Sequence, residues 1–474
     1  MTIHSITKRA IQTGLIWTLA AGVLISPGWS ETTEEILGKM QQQIGSLQEK
    51  LIELEKRNVE LEQRLMEQEQ STANQLQAIS EKTSSAVSAE KPAIRSKYPV
   101  DLYGYLRMDA AYDTARTDEG NYALWVRSEE DNKNDSQFNM TARQSRFGLT
   151  FDGPKFAGAE TSGKIEVDFY EGGSENKNRL MMRHGFMQLD WPDSDFSILA
   201  GQTSDVISPL VAPTLNYTVG WWVGDIGYRR PQLRFSKGYD VSEDTSLLFQ
   251  LAAARTIGDS GPFSPGDTGE DAGFPSLQGR TAFSFPFLTD KMTTVGVSGH
   301  WGEEEYDFDN SDHNENIDTW SLNLDLSVPL LDWLSFQGTL FTGENLDAYL
   351  GGIAQGIVVT SNDAGAIKRV VNANNFAGTF LDAEGIESSG GWAALSLGPF
   401  DDWRFNFGAS IDNPEDDDLP AGARARNAAI FGNALYNLNE AVEWGLELSY
   451  WDTEYKTLED GDSMRIQTSL SYKF

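Results

Sequence analysis

The sequence predicts an all-β fold, a sixteen-stranded antiparallel transmembrane β-barrel preceded by an α-helical coiled coil. Three observations carry this expectation. Apolar and polar residues alternate with period two from Tyr98 to the end, a heptad pattern runs from Leu37 to Leu65, and no apolar run reaches the roughly 20 residues that a spanning helix requires.

Composition sets the outer bounds. Only 39% of the 474 residues are hydrophobic, the formal net charge is -34 and cysteine is absent. A helical membrane bundle is excluded, and an exported chain without disulfides must draw its stability from another source, such as a large hydrogen-bonded sheet. Residues 1–30 read as a secretory signal peptide, with Lys8 and Arg9 at the charged start, an apolar run from Ala10 to Ile25, and Gly28 and Ser30 flanking the cut. Removing those two basic residues leaves a mature chain from Glu31 with charge -34 - 2 = -36, which argues against nucleic acid or anionic lipid as a partner.

Residues 31–70 carry the coiled coil. Leu37, Met40, Ile44, Leu47, Leu51, Leu54, Asn58, Leu61 and Leu65 fall at alternating steps of three and four, a heptad seam with one buried asparagine. Lys50, Arg57 and Arg64 then occupy g positions and Glu55, Glu62 and Glu69 e positions, so neighbouring parallel helices can be bridged. The order basic, apolar, two others, apolar, Glu at Lys50 to Glu55 resembles a motif of three-stranded coiled coils, and Leu47, Leu51, Leu54, Asn58, Leu61 and Leu65 are the expected trimerisation stripe. Residues 71–97 are rich in Ser, Ala, Gln and Glu without periodicity and read as a flexible linker.

Residues 98–474 are the expected barrel. Trp320, Leu322, Leu324, Leu326 and Val328 share one parity and Ser321, Asn323, Asp325 and Ser327 the other. Trp403 to Ile411 and Val442 to Tyr450 repeat the pattern, and the last strand places Met464, Ile466, Thr468, Leu470, Tyr472 and Phe474 on one face. Alternation alone also fits a soluble sandwich; the rhythm of the links favours the membrane. Sixteen segments begin near residues 100, 141, 163, 180, 195, 231, 245, 277, 291, 316, 332, 390, 402, 426, 441 and 463. Short links such as Pro192 to Ser194 and Asn439 to Glu440 interleave with long ones at Asp113 to Met140, Asp205 to Arg230 and Asn345 to Ser389. Aromatics crowd the short links, as an interfacial girdle does. Hydrocarbon satisfies no backbone N–H or C=O, so such a sheet must close on itself, and sixteen strands leave an aqueous channel.

By parity the inward side of the first two strands carries Arg107 and Arg146, and the sixth and eighth carry Arg234 and Arg280. With Arg229 and Arg230, which end the Asp205 to Arg230 link, they make a candidate cationic constriction, because guanidinium groups in a confined pore bind carboxylates through two N–H donors. Inward acids, Asp109, Glu166, Asp168, Asp325, Glu443 and Glu447, are the competing neutralisers. The stretch Asp307, Asp309, Ser311, Glu315, Asp318 has calcium-loop spacing but Asp312 where the turn glycine belongs, and Gly258 to Pro262 misses one glycine of a serine-nucleophile motif. No metal cluster, phosphate loop or nucleophile elbow points to an enzyme, and no cofactor is expected.

The coiled coil, the opening strand YPVDLYGYLRMDAAYD (98–113) and the second strand TARQSRFGLTFDG (141–153) together resemble the DcaP-like trimeric outer-membrane porins. The resemblance implies a homotrimer of sixteen-stranded barrels in the outer membrane with the coiled coil in the periplasm. It also implies uptake of small organic anions such as dicarboxylates, with Arg107 and Arg146 carried over on the matching strands. The Asp205 to Arg230 link resembles the loop that folds into the lumen of such porins and sets pore size. The ending at Tyr472 and Phe474 resembles the signal read by the barrel-assembly machinery, and the outer face would meet membrane lipids and lipopolysaccharide. An envelope tether or adhesin anchored by a barrel and a phosphate-selective porin are the alternative expectations.

Overall fold

The computed structural model describes residues 96–474 except 133–134, 172–177, 259–268, 271, 309–312 and 372–377, together with scattered positions between Gly38 and Arg57. The chain divides into two units, Met1–Arg95 and Ser96–Phe474. In the first, the described positions, among them Glu49, Lys50, Glu53 and Arg57, are helical and exposed. The leader 1–30, the linker up to residue 95 and the stripe positions Leu47, Leu51, Leu54, Asn58, Leu61 and Leu65 lie outside the described residues.

The second unit is a closed antiparallel ring. Its strands are β1 (Val100–Asp113), β2 (Gln137–Thr141), β3 (Arg146–Asp152), β4 (Glu160–Glu171), β5 (Arg179–Trp191), β6 (Phe196–Ser204), β7 (Arg229–Ser242) and β8 (Thr245–Ala254). They continue with β9 (Ser276–Pro286), β10 (Met292–Phe308), β11 (His313–Leu331), β12 (Leu334–Glu344), β16 (Glu387–Phe400), β17 (Trp403–Pro414), β18 (Arg424–Asn437), β19 (Val442–Tyr455) and β20 (Gly461–Lys473). A separate three-stranded sheet, β13 (Ile357–Asp363), β14 (Ala366–Val371) and β15 (Thr379–Gly385), stands in the link between β12 and β16.

Each barrel strand pairs with its chain neighbours, and β1 meets β20 with Tyr105 to Asp113 against Lys473 to Arg465, which closes the ring. β1 pairs on its other side with β3 through Val100 to Tyr105 and with β2 through Asp109 to Asp113, so β2 and β3 share one of sixteen places. The second strand, read from sequence as continuous over 141–153, is thus broken between Thr141 and Arg146. The Arg143 guanidinium fills the break, donating to the main-chain oxygens of Phe169 and Tyr170 at 3.0 and 3.1 Å.

The burial pattern inverts that of a soluble protein. On β1, Leu102, Leu106, Met108 and Tyr112 are exposed while Asp109 and Asp113 are buried; on β20, Met464, Ile466 and Leu470 are exposed while Arg465, Gln467 and Ser469 are buried. Apolar side chains belong outside only where the solvent is lipid. Aromatics cluster at the short-turn end, where Trp191 stacks on Phe196 at 5.5 Å and Trp403 lies 4.6 Å from Tyr436. This is the arrangement of an interfacial belt.

Three long links enter the ring: L1 (114–136), L3 (205–228) and L6 (345–386, which holds β13 to β15). They meet in one apolar cluster of Leu124 and Trp125 from L1, Trp222 from L3, and Ile353 and Ala354 from L6.

Candidate pore and constriction

L3 leaves β6 and crosses the interior to the opposite wall. Val206 N–H donates to Gln278 Oε1 at 3.0 Å and Ser208 N–H to Ser298 Oγ at 3.3 Å, on β9 and β10. Further along, Asn433 Nδ2 of β18 donates to Pro213 O at 2.7 Å, and Glu447 of β19 accepts from Thr214 Oγ1 and Leu215 N–H, both at 2.7 Å. Leu215 O in turn accepts from Arg107 Nη2 at 2.9 Å and Gln467 Nε2 at 3.0 Å. The tip of L3 is therefore held across the joint of β19, β20 and β1. At Gly224, φ +132, a Cβ would stand 2.4 Å from Gly391 O, so only glycine lets the loop backbone lie against the wall there.

These contacts identify the polar parity as inward, and they divide the interior. Inward residues on the side that L3 covers, such as Ser298, Asn323, Ser410 and Asn433, are buried. Those facing the other side of L3, including Arg146, Lys164, His184, Arg234 and Ser236, stay half-buried. The open face thus runs along β3, β4, β5 and β7.

That face concentrates charge. Glu166, buried on β4, accepts from Arg183 Nε at 3.1 Å and pairs with Lys164 Nζ at 3.3 Å and Arg146 Nε at 3.5 Å. Arg183 also donates through Nη1 to Asp168 Oδ2 at 2.6 Å. Its inward aim comes from a register shift: Glu166 opposes His184 but Val167 opposes Met182, leaving Arg183 as the extra residue of a bulge. Tyr217 of L3 stacks on Tyr170 of β4 at 3.6 Å, and Tyr122 of L1 packs on both rings at 5.5 and 5.2 Å. Burial raises the Tyr217 and Tyr122 hydroxyls above their ordinary pKa, so both are neutral hydrogen-bonding groups.

The profile of the DcaP outer membrane protein matches residues 36–284. The chain belongs to the DcaP outer membrane protein family. Among solved structures, the outer membrane channel DcaP of Acinetobacter baumannii is similar at 18% identity and a TM-score of 0.61, over 80% of this chain and 99% of that one. OprB of Pseudomonas putida, at high pH, is 10% identical with a TM-score of 0.48 over 79% of this chain and 94% of that one. OmpF of Salmonella typhi, in complex with daunomycin, is 13% identical with a TM-score of 0.47 over 80% and 98%. No curated protein matches the chain. At these identities the likeness to the DcaP channel concerns the fold, a closed sixteen-stranded barrel in the outer membrane.

In this DcaP-family barrel the six arginines singled out by sequence occupy different settings. Arg146 and Arg234 lie on the open face, with side chain 22% exposed for Arg146, and Arg234 donates to Gln232 Oε1 and Ser204 O. Arg107 is chelated by Asp109, Nη2 to Oδ1 at 2.7 Å, and clamps L3. Arg280 pairs with Asp325, Nη2 to Oδ2 at 2.7 Å, over Gly296, where a Cβ would stand 2.6 Å from Nη2. Arg230 is fully buried and pairs with Asp205 at 3.0 Å. Arg229 lies over the rings of Trp221 and Tyr228 at 5.2 and 4.9 Å, and its buried Nε and Nη2 have no hydrogen-bond partner among the described residues.

Sequence reasoning omitted Lys164 and Arg183. Lys164 shares the parity of Glu166 and Asp168, so its signal was present; Arg183 reaches the interior only through the bulge. Tyr472 faces outward, and Phe474 exchanges main-chain hydrogen bonds with Gly104 at 3.1 and 3.2 Å. Among the described residues no group of three or more His, Asp or Glu makes a metal site; the calcium-like stretch and Gly258 to Pro262 both fall partly outside those residues.

Proposed function

We propose that the chain is a passive diffusion channel of the outer membrane for small hydrophilic solutes, with a preference for small organic anions such as dicarboxylates. The supporting observation is the charge on the face that L3 leaves open. Arg146, Lys164, Arg183 and Arg234 stand there against Glu166 and Asp168, a surplus of 4 - 2 = 2 positive charges. In a channel walled by low dielectric, fixed cations raise the local anion concentration, and guanidiniums bind carboxylates with directional N–H donors. A homotrimer joined through the heptads of residues 31–70 is part of this reading, as is recognition of Tyr472 and Phe474 by the assembly machinery.

Single-channel recording of the full chain in planar bilayers tests it. The reading requires stable conductance steps and, in a salt gradient, a reversal potential of anionic sign that Arg146→Glu weakens or reverses. A bilayer without steps refutes the channel; a cationic sign, or a potential untouched by Arg146→Glu, refutes the preference.

A further inference from the structure

L3 does not stand alone in the lumen. Its returning limb, Gly220 to Tyr228, has no strand pairing to hold it, and it turns through four left-handed positions, Gly220 (φ 98), Trp222 (φ 63), Gly224 (φ 132) and Gly227 (φ 112). What meets it is the inner segment of L6. Trp222 N–H donates to Leu350 O at 2.8 Å and Gly227 N–H to Tyr349 O at 2.7 Å. Arg230 Nη2 donates to Ala348 O at 3.0 Å.

Tyr349 is the centre of this contact. Its ring lies between the Arg230 guanidinium, 3.8 Å away, and the His300 ring, 3.7 Å away and 22° from parallel, while its hydroxyl shares a hydrogen bond of 2.6 Å with Ser276 Oγ. Arg424 Nε, on the far wall, donates to Ile353 O at 2.9 Å, so the segment reaches from β9 and β10 to β18. Asn345, Leu350, Ile353 and Ala354 are all left-handed, with φ between 51 and 63°. Residues with side chains avoid that region, β-branched Ile353 above all, and such conformations persist only where the surroundings over-determine them.

We propose that residues 345–355 are a second, specificity-determining element of the channel, in which Tyr349 is the positioning residue. Tyr349 holds the returning limb of L3 through its main-chain oxygen, which accepts from Gly227 N–H, and through its ring, which shares a buried cluster with Ile226 of the limb and braces Arg230 at the start of β7. That limb carries Trp221 and Tyr228, whose rings lie 5.2 and 4.9 Å from the Arg229 guanidinium at the start of β7, so L6 sets how far they stand from the β3 to β7 wall and hence the width of the path. The proposal rests on the reading of the chain as an open channel.

The test uses the full chain, with folding checked by the heat-dependent gel shift, and reads three quantities: single-channel conductance, the largest neutral sugar that swells proteoliposomes, and the reversal potential. Tyr349→Phe keeps the ring between Arg230 and His300 and should behave as wild type. Tyr349→Ala should raise conductance roughly twofold as the cross-section widens and admit sugars that wild type excludes, with the reversal potential unchanged because no pore charge is lost. Gly351→Ala, whose new Cβ would stand 2.8 Å from Ile226 Cγ2, should wedge the limb away from L6 toward the open face and lower the cut-off, without touching the latch. If Tyr349→Ala does not fold, Gly351→Ala decides alone. Wild-type conductance and cut-off in both variants overturn the proposal, as does a Tyr349→Phe channel as wide as Tyr349→Ala. A wild-type chain that never conducts refutes the channel reading instead.

Discussion

Arg107 of β1 donates through Nη2 to the main-chain oxygen of Leu215 at the tip of L3, 2.9 Å away, while Glu447 of β19 accepts from the N–H of the same residue at 2.7 Å. One residue of the loop is thus gripped, through the peptide groups on either side of its Cα, from both sides of the joint where the first and last strands meet. Arg107 also donates through Nε and Nη2 to Asp109. Its charge is committed to holding L3, and its effect on transport runs through loop position.

Arg107→Met should therefore enlarge conductance more than it changes ion selectivity. Asp109, buried and stripped of its cation, keeps only Gln467 Nε2 at 3.0 Å, and breaking a buried pair costs about 3–5 kcal/mol. The denaturant midpoint of the gel-shifted form should fall accordingly, and conductance steps should become larger and noisier. A stable variant with unchanged steps contradicts the clamp.

Glu447→Ala should produce the same loosening from the other side. It leaves Leu215 N–H and Thr214 Oγ1 without their acceptor at the barrel wall, at about 1–3 kcal/mol per orphaned buried group, while Asn433 Nδ2 keeps Pro213 O. Combining it with Arg107→Met should be less than additive, because both release one loop. A double-mutant cycle in denaturant measures this; full additivity counts against a shared clamp.

Docking of L3 should weaken as pH rises. Asp225 lies in L3, wholly buried, and burial holds its carboxyl well above the usual carboxylate range although Ser208 Oγ donates to it at 3.0 Å. With a folded pKa raised above an unfolded value of about 3.9, the contribution is complete below the unfolded value and lost as pH climbs through the folded one. Conductance noise should grow with pH in wild type and stay flat in Asp225→Asn. Equal pH profiles for the two contradict this.

Leu340, 60% exposed on β12, belongs to the lipid face. Leu340→Arg should destabilise the barrel by about 2–4 kcal/mol in vesicles, the depth-dependent cost of arginine toward hydrocarbon. Its paired neighbour in sequence, Thr339, faces inward and is buried behind L3. Folding free energy from tryptophan fluorescence during urea titration reads the effect; a neutral substitution places Leu340 in water.

Much of this was legible in the sequence because the side-chain period of a strand is two. Trp403 to Ile411 and Met464 to Phe474 could be assigned to faces by parity, and all sixteen segment positions correspond to a place in the ring. Parity fails where the ladder does. Arg183 shares the odd positions of outward Met187 and Leu189, and only the extra residue at the bulge turns it inward. The break after Thr141 has no local signal, since Arg143 satisfies it by reaching to β4. The inner part of L6 was opaque for a different reason. Its conformation depends on partners far along the chain, Arg230, His300 and Arg424, and no short-range pattern encodes such a fold.

The chain has no cysteine, so single cysteines report without background. Ser236 of β7 lies on the open face, and Ser298 of β10 lies behind L3 as acceptor of Ser208 N–H. A charged methanethiosulfonate reagent applied during single-channel recording should cut the current stepwise in Ser236→Cys and leave Ser298→Cys unchanged. Block at Ser298→Cys with none at Ser236→Cys would mean that solutes pass on the other side of L3, contrary to this account.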